Sequence, residues 1–385
     1  GDVREKYLQA VDLLNQAIAR DPSFFLAYCQ LAHAHDTLYF LGYDHTAERL
    51  TAAEAAVQEA FRLRPDAGEA HLARAENLYQ GHLDYDGALA ELAIARQLLP
   101  NHPRVFELTA YIANRQGKSE EWVSNLKRAV ELDPRNSFLL YQLSESLLYT
   151  RRYEQAARAA DSAVAIEPDD VEMKVLRGII DFTWKADTRL LHHTLDSAGE
   201  NVPGRWTMLM CALAERDAAA ANRALTQSGE RTWGFDAMQF SGSFGEGLIA
   251  RMTKDVAKAN SAFLRARVEQ EKIVASQPNY GPAVCVLALI DAGLGRKEEA
   301  LREGRHAMEL MPAEKEPVNG AHIIELFAVI AAWVGEKDLA CEQLALALQY
   351  PIALGYGQLK LLPFWDPLRG DPCFEKIVAS LAPKD

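Results

Sequence analysis

Residues 153–170 read YEQAARAADSAVAIEPDD, which sets Ala156, Ala163 and Pro168 at intervals of seven and then five residues. The same spacing returns at Ala10/Ala17/Pro22, Ala53/Ala60/Pro65, Ala88/Ala95/Pro100 and Ala300/Ala307/Pro312, and Trp122/Ala129/Pro134 is a sixth copy with a bulky first member. Seven residues are two helical turns less about twenty degrees, so both small side chains face the same way and let a second helix approach closely. The proline then stops the helix, because it has no N–H and clashes with the preceding turn. In Asp21-Pro22 and Asp133-Pro134 this predicts an N-cap aspartate and a proline at the first position of the following helix. The repeating unit is a helix pair.

The prolines set the period. Pro100, Pro134 and Pro168 are 34 residues apart, as are Pro278 and Pro312, and Pro65 to Pro100 is 35. Pro22 to Pro65 is 43, which reads as a nine-residue insertion between two paired helices. Small residues recur in the other helix of each pair at Ala110, Ser144, Gly178 and Ala288, with Ala75 one residue out of step. Two helices in 34 residues is the length of a tetratricopeptide repeat.

The segment from Ala10 to Asp181 resembles a tetratricopeptide repeat (TPR) array, most closely in 153–170 and in NLKRAVELDPRN at 125–136. The long second repeat at 26–71 and the tail FWDPLRGDPCFEKIVASL at 364–381 are similar to the arrays attached to bacterial signalling proteins, namely eukaryotic-type serine/threonine kinases, nucleotide cyclases and winged-helix regulators. The resemblance implies an all-α, right-handed superhelix of antiparallel pairs with a closing C-terminal helix. It further implies a non-catalytic scaffold that binds a protein or peptide, as the regulatory or sensory part of a larger signalling protein.

In such arrays the first helix of each pair lines a concave groove. Carried onto this sequence, the groove receives Glu76 and Tyr79, then Tyr111, Asn114 and Arg115, then Tyr141, Glu145 and Tyr149. Val175, Ile179, Phe182 and Thr183 follow from the next pair. Tyrosines mixed with acids suit an interface, since aromatic side chains bury much area with few rotatable bonds. Two alternatives stay open: the aromatics pack on one another, or a later helix of the same chain occupies the groove. The lysine-and-asparagine clamp of chaperone-binding TPR domains is absent, its places holding Cys29, His33, Leu72 and Glu76.

Along the chain, 1–183 is expected to be a regular array with a truncated first repeat and the insertion near 36–50. Residues 184–276 are expected to be diverged helix pairs, with helices near 205–215, 217–227 and 244–275 and glycine-rich loops between them. Residues 277–385 return to regular pairs, at 282–311 and 320–349, before a closing helix with Asp371 as N-cap and Pro372 as its first residue. The stretch SGSFGEG at 241–247 has no strand before it and no lysine after it, so it reads as an interhelical loop in which Gly242 and Gly245 offer a hinge. The sequence opens Gly-Asp, and the first helix of its first pair is missing or cut short, so the chain is expected to be an excised fragment, with the catalytic or membrane part of the protein left to whatever precedes Gly1.

Chemistry leaves little trace. The net charge of −13 argues against a nucleic-acid partner, which needs a basic stripe to displace counterions. No run approaches the ~18 apolar residues of a membrane span, and no signal peptide precedes the repeats. The compartment stays open between cytoplasm and an exported domain. Cys29, Cys211, Cys285, Cys341 and Cys373 are odd in number and scattered, giving no disulfide framework and no zinc pattern. There is no phosphate loop or His-Glu-x-x-His helix, hence no catalytic or metal residue and no cofactor is assigned. His33 and His35 diverge by about 200° on a helix, and with Asp36, Asp44 and His45 they read as solvated polar positions. His192 and His193 diverge too. Glu120-Glu121, Asp169-Asp170 and Glu298-Glu299 fit helix starts, where carboxylates meet the positive end of the dipole. A small-molecule or peptide sensor built in 184–276 is the alternative function.

Overall fold

In a computed structural model, which describes residues 3–199, 205–228, 232–235, 237–352 and 354–383, the chain is an all-α array of antiparallel helix pairs. It divides into two compact units, residues 1–114 with 120–134 and residues 115–119 with 135–385.

The first unit is built from α1 (Val3–Arg20), α2 (Phe25–Phe40), α3 (Ala47–Leu63), α4 (Gly68–His82), α5 (Tyr85–Leu98), α6 (Pro103–Arg115) and α7 (Ser119–Leu132). From the second copy onward, every alanine of the spacing rule is sealed: Ala53, Ala60, Ala88, Ala95 and Ala129 are 0% exposed, as are Ala156, Ala163, Ala300 and Ala307 in the second unit. Ala10 and Ala17 are half-buried, and Trp122 fits into the buried position that alanine holds elsewhere.

The alanine-to-proline interval has a hydrogen-bonding cause. In each copy the residue just before the proline donates the last helical bond to the second alanine, as in Arg64 to Ala60 O at 2.9 Å and Leu99 to Ala95 O at 2.7 Å. That residue is already turned out of the helical region (Arg64 ψ 79°, Leu99 ψ 61°), as steric conflict with a following proline requires. Proline comes next, where no further donor is needed. It does not open the next helix, contrary to the sequence expectation: Asp21-Pro22 and Asp133-Pro134 lie in the connection, with Phe24 and Asn136 at the caps of the helices that follow. Asp371 and Pro372 do take the expected N-cap and first positions.

The long second repeat is not one inserted loop. Its extra length is shared between a 41–46 connection and additional residues in α2 and α3. Arg49 at the start of α3 donates to Asp44 at 2.6 Å and to His35 Nδ1 at 2.8 Å, and Tyr39 stacks on His45 at 3.9 Å. His35 and Asp36 are buried, not solvated as the sequence suggested. Burial, then Arg49, lowers the His35 pKa to about 4.

The second unit continues with α8 (Ser137–Tyr149), α9 (Tyr153–Ile166), α10 (Val171–Lys185), α11 (Arg189–Ala198), α12 (Arg205–Ala214) and α13 (Ala218–Ser228). A short antiparallel hairpin, β1 (Trp233–Phe235) and β2 (Met238–Phe240), pairs Trp233 with Phe240. Then come α14 (Gly242–Met252), α15 (Val256–Ser276), α16 (Gly281–Gly293), α17 (Lys297–Leu310), α18 (Pro317–Trp333), α19 (Lys337–Ala347), α20 (Tyr356–Leu361), a 3-10 turn (Pro363–Leu368) and α21 (Pro372–Leu381). Asp170 caps α10 by accepting from Met173 N at 3.0 Å, and Glu298-Glu299 fall in the first turn of α17.

Three expectations for 184–276 are corrected. SGSFGEG is no loop: Ser241 caps α14 by accepting from Phe244 N, and a strand does precede it. Of the two glycines read as a hinge, Gly242 opens α14 with open space around it. Gly245, like Gly247, is instead a packing residue, since a Cβ would sit 2.7 Å from Leu225 Cδ2 at Gly245 and 2.6 Å from Phe263 Cε1 at Gly247. The helix expected over 244–275 is two, broken at 253–255 where Lys254 takes a φ of 62°. Parts of the glycine-rich breaks near 200 and 230 lie outside the described residues. Where the prolines lapse, the alanine interval continues: Ala259/Ala266 and Ala340/Ala347 are buried pairs on α15 and α19.

Candidate functional site

The eight groove residues carried over from the sequence fall in both units. In the first, they are largely consumed by internal contacts. Glu76 is 4% exposed; His33 Nδ1 lies 2.8 Å from its Oε1, and Arg104 donates to the same oxygen. Arg104 also reaches Glu107 at 2.7 Å, and the Tyr111 hydroxyl donates to Glu107 at 2.7 Å. Burial opposes ionisation of Glu76, but Arg104 and His33 outweigh it and hold its pKa at about 2. Tyr79 is buried against Phe40 and Tyr85 at 5.6 and 6.1 Å, so it belongs to the core rather than to an open face. Asn114 and Arg115 are half-buried at the end of α6.

In the second unit, Tyr141, Glu145 and Tyr149 come together on the wall of a cavity of about 390 Å³. α8 presents these three, and α10 adds Glu172, Ile179 and Phe182. The opposite wall was not foreseen: Trp206 and Met210 of α12, Phe235 and Phe240 of the hairpin, His322 and Glu325 of α18, and Phe364 beyond α20. Trp206 stacks on Trp233 at 5.2 Å, and Phe235 meets His322 edge-on at 4.8 Å, so the aromatic wall is cross-braced.

The C-terminal segment closes one end. Gln358 Nε2 donates to Thr183 Oγ1 at 2.8 Å, Arg151 Nη1 to Leu348 O at 2.9 Å, and Arg216 grips Asp366 through two bonds of 2.7 Å. A later helix of the same chain therefore does occupy the groove where Phe182 and Thr183 stand. It leaves the Tyr141–Tyr149 portion as cavity.

The cavity's electrostatics are one-sided. Glu145, Glu172 and Glu325 stand in the wall, and among the described lining residues there is no lysine or arginine. The Tyr141 hydroxyl donates to Glu172 at 3.3 Å; burial, then Glu145 and Glu172, push its pKa above the ordinary tyrosine range. Aromatic faces beside carboxylates attract a cation, both by charge and through the ring quadrupole.

Residues 104–136, spanning α6 and α7, match the tetratricopeptide repeat family model. This segment is a tetratricopeptide repeat. No curated protein matches the sequence. Among solved structures, Pseudomonas aeruginosa PilF is 18% identical over 64% of this chain and 91% of its own, with a TM-score of 0.36. Human IFIT1, solved as a dimer with PPP-AAAA, is 15% identical over 80% and 69%, with a TM-score of 0.45. YrrB, described as a TPR protein with an unusual peptide-binding site, is 17% identical over 55% and 97%, with a TM-score of 0.32.

TPR numbering placed the α8 and α10 side of the cavity and nothing else of it. Trp206, Phe235, Phe240 and His322 were not among the groove positions, and of these four the aromatic density of 233–244 signalled Phe235 and Phe240 alone. The TPR register also passed over a cluster on α11 and α12. One ligand atom of each of His192, Cys211 and Glu215 lies within 4.8 Å of the others. Its signal was the four-residue interval from Cys211 to Glu215, which sets both on one face of a helix. Among the described residues no helix is long and apolar enough to cross a membrane.

Proposed function

We propose that this TPR chain is a protein-interaction scaffold whose second unit takes a cationic side chain of a partner segment into the cavity beside Tyr141. The observation that carries this reading is the pairing of aromatic faces with Glu145, Glu172 and Glu325 in a wall without lysine or arginine. A guanidinium or ammonium flanked by apolar residues satisfies both features. The net charge of −13 supports a protein partner over a nucleic acid. The long second repeat and the 364–381 tail support a regulatory place within a larger bacterial signalling protein; the full-length gene tests that point.

The test is a peptide array in which one position is varied between Arg, Lys, Gln and Leu within an apolar context. Wild-type chain should retain the Arg and Lys peptides. Tyr141→Ala and Glu172→Gln, checked for native helicity, should weaken retention about tenfold, or about 1.4 kcal/mol. Equal retention of the Gln and Arg peptides would remove the reading. A small-molecule sensor is the second reading, favoured by a cavity volume within the range of ligand pockets. Aromatic amines that raise the melting temperature when no peptide binds would select it.

A further inference from the structure

Two neighbouring helices of the second unit bring four metal-competent side chains to one place. α11 carries His192 and Asp196, four residues apart on one face, while α12 carries Cys211 and Glu215 follows in the turn at its end. His192 Nδ1 lies 2.7 Å from Glu215 Oε2, and His192 Nε2 lies 3.1 Å from Asp196 Oδ2. Both imidazole nitrogens are thus committed to carboxylates on opposite sides. The Cys211 sulfur lies within 4.8 Å of the ligand atoms of His192 and Glu215. Cys211 is itself buried, while the imidazole is 49% exposed, so an ion has a route in from solvent.

An exposed imidazole–carboxylate contact is common, and by itself it is worth little. That explanation leaves out the thiol, which approaches the same point from the buried side. Thiolate, imidazole and carboxylate together are a donor set for Zn²⁺, whereas Mg²⁺ and Ca²⁺ take oxygen ligands. We propose that His192 Nδ1, Cys211 Sγ and a Glu215 oxygen bind a zinc ion, with water in the fourth position. Asp196 accepts from Nε2–H, fixing the imidazole tautomer and orientation from behind the ligand. On binding, the ion replaces the proton held between Nδ1 and Glu215 and the proton of the thiol, and both leave to solvent. Because Leu191 and Met210 line the cavity, an ion tying α11 to α12 would also hold that wall in place.

The experiment titrates Zn²⁺ and Co²⁺ separately into the reduced, chelator-stripped chain in a Cys373→Ser background, since Cys373 is exposed and lies beside Cys341. One ion per chain should bind, and Co²⁺ should produce a near-ultraviolet thiolate-to-metal charge-transfer band. Cys211→Ser should abolish the band. Asp196→Asn should keep the band but lower affinity about 10–100-fold. Absence of the band in the folded chain, or unchanged Zn²⁺ affinity in His192→Ala, would overturn the site. His192 is exposed enough that its alanine variant keeps the test decisive if Cys211→Ser fails to fold.

Discussion

Gln358 and Thr183 are joined by a buried 2.8 Å hydrogen bond across 175 residues of sequence, from the last part of the chain back to α10. The neighbouring Gly357 explains how α20 comes so close: a Cβ there would stand 1.7 Å from the Phe182 carbonyl oxygen. Gly357→Ala is therefore expected to push α20 off α10 and cost about 1–3 kcal/mol. Chemical denaturation measures this, and an unchanged midpoint would show that α20 does not lie against α10.

Arg104 stands between two buried carboxylates, Glu76 and Glu107. Arg104→Met removes the guanidinium from both, leaving Glu76 with His33 alone, and should destabilise the first unit by about 3–5 kcal/mol, as broken buried pairs do. The Glu76 pKa of about 2 lies below its ordinary 4.5, so its stabilising contribution is complete above pH 4.5 and is lost as the pH falls towards 2. Glu76→Gln should accordingly be less stable than wild type at pH 7, with the gap closing on acidification. Urea midpoints across pH 2–7 test both statements.

Glu303 behaves oppositely. Burial, then the fully buried Asp291 carboxylate, raise its pKa to about 7, against the pull of Arg302 and Arg267. The folded chain favours the protonated acid, so this contribution is complete below pH 4.5 and is lost as the pH rises through 7. Glu303→Gln, which keeps the neutral shape, should flatten the fall in melting temperature between pH 5 and 8. A wild-type melting profile parallel to the variant's over that range would exclude the effect.

Ala129 is 0% exposed on α7, at the second small position of the spacing rule. Ala129→Leu inserts three carbons into a close helix contact and should cost about 1–3 kcal/mol. Ala17→Leu, at the half-buried equivalent on α1, should cost clearly less. Thermal melts of the two variants side by side decide whether the rule reports packing depth.

Much of this architecture was legible because it is local. A helix face is set by intervals of three, four and seven, and a helix end by where the backbone runs out of donors. Ala60, Arg64 and Pro65 thus fix a terminus with no help from distant residues. The repeat resemblance, not locality, carried Tyr141, Glu145 and Tyr149 to the groove, and the structure sets them on one wall. Locality failed where a short segment depends on what covers it. Gly245 and Gly247 looked like part of a loop until Leu225 and Phe263 were packed over them. Tyr79 looked like an interface anchor until Phe40 and Tyr85 enclosed it.

The sequence alone determined that paired helices stack in a 34-residue register, since intervals between small side chains and prolines act through the backbone nearby. Tertiary structure alone decided what the register encloses. Trp206, Phe235, His322 and Phe364 meet the α8 face only because the chain returns on itself, and Glu76 meets Arg104 only by stacking of α4 and α6. Such meetings depend on burial, charge and close approach between segments far apart in the chain, and no interval along one segment encodes them.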